Sequence, residues 1–147
     1  MKLTSRAFAH REEIPKKYSC HGEHPTSPPL EFEEVPSATQ TLVLLVDDPD
    51  APGTTFHHWV VWNIPPTVST LGEGLPPHGN EGHNSLGRRG WTPPCPPDGE
   101  HRYIFALHAL DTTLVLSEGA DHDAVQAAME GHVLARAELI GLYGGKS

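Results

Sequence analysis

Short apolar runs alternate with turn-rich stretches along this chain, and the runs have the length and period of strands. Residues 41–46 (TLVLLV) are almost continuously apolar, which predicts a buried strand ending at the Asp47-Asp48-Pro49 turn. Residues 59–64 (WVVWNI) predict a second strand, closed by Pro65-Pro66, and residues 103–110 (YIFALHAL) a third. The loop between the first two carries Pro49, Pro52 and Gly53 and is long for a plain hairpin; loops of that length are more often functional. Residues 3–8 alternate as an opening strand, and residues 30–32 form a short strand before Pro36. Asp121 is a suitable N-cap for a helix over 123–130, with Gly131 as its stop. The tail over 133–143 reads two ways. Its composition suits a helix, yet Val133, Ala135, Ala137 and Leu139 alternate as in a strand. Residues 20–29 and 70–100 are loop by composition; in the latter only Leu75, Leu86 and Trp91 offer apolar anchors.

Composition supports this picture. The 14 glycines and 15 prolines punctuate the apolar runs without a period, which points to many turns and a β-rich fold. A length of 147 residues fits one domain over 1–147 with a real core, and 37% of the residues are apolar. The net charge of −9 argues against nucleic-acid binding, which needs a basic surface. Protonating all 11 histidines would take the formal charge from −9 to +2, so anion affinity should respond to pH between about 5 and 7. No apolar segment is long enough to span a membrane and none resembles a signal peptide, so a cytoplasmic location is expected. Cys20 and Cys95 make no disulfide framework; free thiols are the expectation in a reducing cytosol, and a pair the alternative if their loops meet.

Two polar clusters stand at the ends of these strands. The first is Asp47, Asp48 and Asp50 followed by His57-His58; the second is the run Gly90 to Pro97 leading into His101-Arg102-Tyr103. The aspartates read either as turn formers or as carboxylates that orient a histidine or a ligand. Adjacent strand residues point to opposite faces, so only one of His57 and His58 can face a given pocket. His101 and Tyr103 share a face by alternation, and Arg102 takes the other. Carboxylate, imidazole and phenol converging at a cleft suit a small anion. The Pro-rich run reads either as a rigid loop or as a pocket wall; only its non-proline residues have backbone donors.

In order and spacing, VDDPDAP, HHWVVWNIP, PCPPDG and HRYIFALHALD resemble the phosphatidylethanolamine-binding protein family, in its bacterial and archaeal Raf-kinase-inhibitor-like branch. The segments YSCHGEHPTSPPLEF and AMEGHVLARAELIGLYG also fit, so the resemblance covers nearly the whole chain. It implies a mostly β fold, a β-sandwich core of two sheets with short peripheral helices, and makes the tail over 133–143 a strand. It also implies a pocket for phosphate or a phosphorylated head group such as phosphoethanolamine. By motif the ligand-binding residues would be Asp48, Pro52, His58, Gly90, Pro94, His101 and Tyr103. No catalytic residue, metal or cofactor is implied. A homodimer is, and the family's names suggest regulation of a kinase or protease, although no residue here identifies a target.

The pocket loop departs from the branch. Trp91 stands where a tyrosine is usual, keeping an aromatic wall, and Pro93 stands where a second glycine is usual. Pro93 removes a backbone donor and restricts Thr92, which implies weaker or reshaped anion binding. The competing reading from the residues is a metal-assisted hydrolase using Asp48, His58 and His101, with His108 as a further ligand. No HExxH or spaced Cys/His pattern supports it.

Overall fold

The computed structural model describes residues 1–144; the domain assignment over 1–147 thus includes three residues outside the described ones. In chain order the elements are β1 (Lys2–Thr4), β2 (Glu12–Glu13), β3 (Leu30–Glu33), β4 (Thr41–Asp48), β5 (Phe56–Ile64), β6 (Thr70–Leu71), β7 (Asn80–Glu81), β8 (His101–Leu110), α1 (His122–Met129) and β9 (Val133–Tyr143). A 3-10 turn spans Lys16–Tyr18. The strands form a three-stranded sheet, β1-β3-β6, and a six-stranded sheet, β2-β9-β8-β4-β5-β7. The fold is mostly β with two sheets, as the turn-punctuated runs and the resemblance imply.

The continuous apolarity of 41–46 has a direct cause: β4 is central and covered on both faces. Leu42, Leu44 and Val46 pack between the sheets with Phe32, Trp59, Phe105 and Leu107. Val43 and Leu45 face the other way, packing with Val60, Trp62 and the α1 residues Val125 and Met129. Burying a large aliphatic side chain contributes roughly 1.5–3 kcal/mol, so both faces matter to stability.

The helix starts at His122 with Asp121 as its N-cap, the carboxylate accepting from the Ala124 N–H at 3.0 Å. The tail is strand, pairing antiparallel with β8 from His101↔Tyr143 to Leu110↔Val133. Tertiary pairing overrides helix propensity there, because Leu139 and Tyr143 close the inter-sheet core. The opening strand is shorter than its alternation predicts, and the 70–100 stretch adds two two-residue strands that its composition hid.

The expectation of free thiols is wrong in this structure. Cys20 and Cys95 form a disulfide, with Cα atoms 5.4 Å apart. Beside it the Cys20 N–H donates to the Pro94 carbonyl at 3.0 Å. The N-terminal loop and the Pro-rich loop meet, which their separation of 75 residues did not reveal.

Candidate functional site

The site begins with a bulge. Val46 pairs with Trp59, and Asp47 pairs with His57, so β5 carries one extra residue, His58, at this point. Counting back from Trp59 by strict alternation would put His57 on the inter-sheet side. The bulge reverses the phase, so that His58 joins the inner side and His57 faces out. Asp48 lies in phase with Leu42, Leu44 and Val46, and His101 and Tyr103 lie in phase with Phe105 and Leu107. All four therefore converge at the end of the sandwich, where they line a cavity of about 280 Å³.

Asp48 is only 3% exposed, and each of its carboxylate oxygens accepts a hydrogen bond. Oδ1 accepts the Asp50 N–H at 2.8 Å, and Oδ2 accepts His101 Nδ1–H at 2.6 Å. His58 is fixed in the same sense: its Nδ1–H donates to the Thr92 carbonyl at 2.7 Å, while the Thr92 N–H donates to the His58 carbonyl at 3.0 Å. Both imidazoles thus have Nδ1 occupied and Nε2 free of protein partners among the described residues. Burial lowers the His58 pKa below the usual histidine value, against an opposing pull from the Thr92 carbonyl and Asp48. His58 is accordingly neutral at pH 7 without a ligand.

Tyr103 stands between them, its ring 5.2 Å from His58 edge-on and 6.4 Å from His101. Its hydroxyl is buried and has no partner at hydrogen-bond distance and angle among the described residues. Burial, then the Asp48 charge, raises its pKa strongly, so it keeps its proton and can donate. An unpartnered buried hydroxyl costs roughly 1–3 kcal/mol.

The surrounding loops are clamped. Asp50 takes Arg102 in a two-oxygen contact, with Nε and Nη2 each at 2.9 Å, and also accepts the Arg102 N–H. The Arg102 bonds hold the Asp50 carboxyl at about 2. Asn84 donates to the Gly90 carbonyl and to Thr92 Oγ1, holding the Pro-rich loop against the sheet.

Of the residues singled out from the sequence, Asp48, Pro52, His58, His101 and Tyr103 line the cavity. Gly90 and Pro94 do not. Gly90, at φ 105°, turns the loop, and Pro94 directs its carbonyl to Cys20. Trp91 does not wall this cavity either: half-buried, it packs against the inter-sheet core, with Trp59 and Phe105 rings 5.4 and 6.2 Å away. Phe56 supplies the aromatic wall instead, 4.7 Å from His58, and Pro93 faces the cavity. Sequence reasoning missed Phe56 and Asn84, and saw Thr92 only as a backbone donor of the loop. An Asn in the turn-rich 70–100 stretch was the only available signal for the clamp. Asp48, His58 and His101, the core of the hydrolase reading, line one cavity, but among the described residues they do not bring three ligand atoms within 4.8 Å of one another, and His108, its further ligand, points to the opposite face of the sheet.

The match to the phosphatidylethanolamine-binding protein family model covers residues 4–144. The chain is 48% identical to a UPF0098 protein of Methanothermobacter thermautotrophicus over 97% of its length and 98% of the relative's. A UPF0098 protein of Chlamydia trachomatis is 47% identical, again over 97% and 98%. Among solved structures, a phosphatidylethanolamine-binding protein homologue from Chlamydia trachomatis superposes with a TM-score of 0.95 at 45% identity, covering 99% of this chain and 97% of that one. YbcL of E. coli, described as a member of the mammalian family, gives 0.89 at 31% identity, covering 99% and 98%.

Proposed function

Because this chain belongs to the phosphatidylethanolamine-binding protein family, we propose that its cavity binds the phosphate of a small phosphorylated ligand, such as a phosphoethanolamine-like head group. One observation carries this reading: the Tyr103 ring lies against two histidines whose Nε2 atoms are both free of protein partners among the described residues, and its own buried, protonated hydroxyl is unpartnered there too. A phosphate oxygen accepts from Tyr103. His101, once protonated, donates from Nε2, and Asp48 holds and balances the imidazolium through Nδ1. Neutral His58 accepts from a phosphate O–H, or takes up a proton and donates when the anion repays the cost of burial.

The sign of the pH effect follows. The anion favours both imidazoliums, so affinity is highest at low pH and falls as pH rises from 5 to 8. Calorimetry with phosphate and with phosphoethanolamine at pH 6 tests the reading. Wild type binds, and His58→Ala weakens binding by about tenfold or more. An unchanged affinity from pH 5 to 8 would count against histidine donation. No binding by wild type would overturn the phosphate reading and leave a protein partner for this surface.

A role as regulator of a kinase or protease, and the homodimer, rest on the resemblance alone; affinity capture and sedimentation test them. The residues described contain no helix long and apolar enough to cross a membrane. A cytoplasmic location is the reading to test, because the Cys20–Cys95 disulfide is of a kind that persists in oxidising surroundings. Alkylation of intact cells before lysis decides: cysteines blocked without prior reduction would mean a reducing location.

A further inference from the structure

The opposite face of the six-stranded sheet holds a cluster that the phosphate cavity does not use. Asp47 lies near the end of β4, His57 near the start of β5, and His122 opens α1. One ligand-capable atom from each lies within 4.8 Å of the other two, and all three residues are partly buried. The bulge at His58 creates this cluster, since it is what turns His57 outward beside Asp47.

His122 Nδ1 lies 3.1 Å from Asp123 Oδ1, and its Nε2 faces Asp47 Oδ2 at 3.6 Å. In the neutral tautomer that donates from Nδ1 to Asp123, the Nε2 lone pair points at that carboxylate oxygen, and a cation between the two completes the arrangement. The other carboxylate oxygen, Oδ1, lies 2.7 Å from His57 Nδ1. The His57 and His122 rings are stacked, with centroids 3.8 Å apart and planes within 10°, so their nitrogens reach the same carboxylate from one side. Asp123 holding the far nitrogen of His122 is the outer-shell arrangement that orients metal-binding histidines.

We propose that Asp47, His57 and His122 form a binding site for a first-row transition-metal dication of the Zn²⁺ type, with Asp123 as a positioning residue for His122. Two imidazoles and one carboxylate suit zinc, nickel, cobalt or copper; magnesium and calcium prefer all-oxygen sets. On binding, His57 carries its proton on Nε2 and offers Nδ1, which gives up the hydrogen bond to Asp47. Three protein ligands leave a coordination position open. His57 and His122 also line a cleft of about 660 Å³, which leaves room at the ion for water or a small ligand.

The test uses the full chain, stripped with a chelator and kept oxidised so that Cys20 and Cys95 offer no thiolate. Titration with Co²⁺, followed by its visible absorption, and competition with Zn²⁺ should both saturate at one ion per chain. Asp47→Asn, His57→Ala and His122→Ala should each weaken binding by about a hundredfold, and Asp123→Asn by about tenfold. His24→Ala, at an exposed histidine elsewhere, should change nothing. Co²⁺ should also shift or broaden the His57 and His122 imidazole resonances in the unaltered protein, a readout that needs no variant to fold. Failure to saturate at one ion, or titrations unchanged in Asp47→Asn and His122→Ala, would overturn the proposal. The cluster would then serve only to tether α1 to the sheet, visible as a lower melting temperature of the variants without metal. None of these residues lines the phosphate cavity, so this result is independent of phosphate binding.

Discussion

At the scale of single residues, Tyr103 separates a binding role from a structural one. Its buried hydroxyl has no well-formed hydrogen bond among the described residues, so the folded protein gains little from it. Tyr103→Phe should therefore melt at the same temperature or slightly higher, by up to about 1 kcal/mol, while phosphate binding weakens by about tenfold. Thermal melting and calorimetry on the same sample check both halves. A variant that loses stability and keeps affinity would remove Tyr103 from the site. Asp48 is the opposite case. It holds His101 Nδ1 and the Asp50 N–H, so Asp48→Asn should cost both stability and binding.

At the scale of elements, the bulge in β5 is the feature that builds the site. One extra residue opposite the Val46–Asp47 step puts His58 inside and His57 outside, and neighbouring aspartates follow the same division. Adjacency alone says that the two histidines diverge; it does not say which goes where. The resemblance named His58, and only the strand register gives the reason. The Pro-rich loop makes the same point. Its prolines announce rigidity, but its position depends on Asn84, on the paired bonds between Thr92 and His58, and on the disulfide to Cys20. A bond closing a separation of 75 residues contributes roughly 2–5 kcal/mol. Reduction should lower the melting temperature by about 5–15 °C, and calorimetric scans with and without reductant measure it.

At the scale of the whole molecule, one buried group ties stability to pH. His108 lies on the α1 side of β8, where burial first, and Arg136 next, lower its pKa to about 4. Asp47 pulls the other way and His122 adds to the lowering. The unfolded chain binds a proton at His108 near pH 6.5, and the folded protein only near pH 4. Stability is thus complete above pH 6.5 and falls as pH drops toward 4, by about 3 kcal/mol in all from this group. His108→Leu should flatten that part of the profile, measured as denaturant midpoints at pH 4.5 and 7. An unchanged slope would assign the acid sensitivity to other groups.

The sequence by itself determined what local chemistry dictates. Continuous apolarity over 41–46 required a strand covered on both faces, alternation put His101 and Tyr103 together, Asp121 capped a helix, and motif order identified the family. Only the tertiary structure decided what depends on partners distant in the chain. Pairing with β8 turned 133–143 from a possible helix into a strand. The meeting of two loops joined Cys20 to Cys95, packed Trp91 against the core and set Phe56 in the cavity wall. The register of β5 against β4 divided Asp47 and His57 from Asp48 and His58. A one-residue shift in register changes the face of every side chain beyond it, and no local pattern records where that shift occurs.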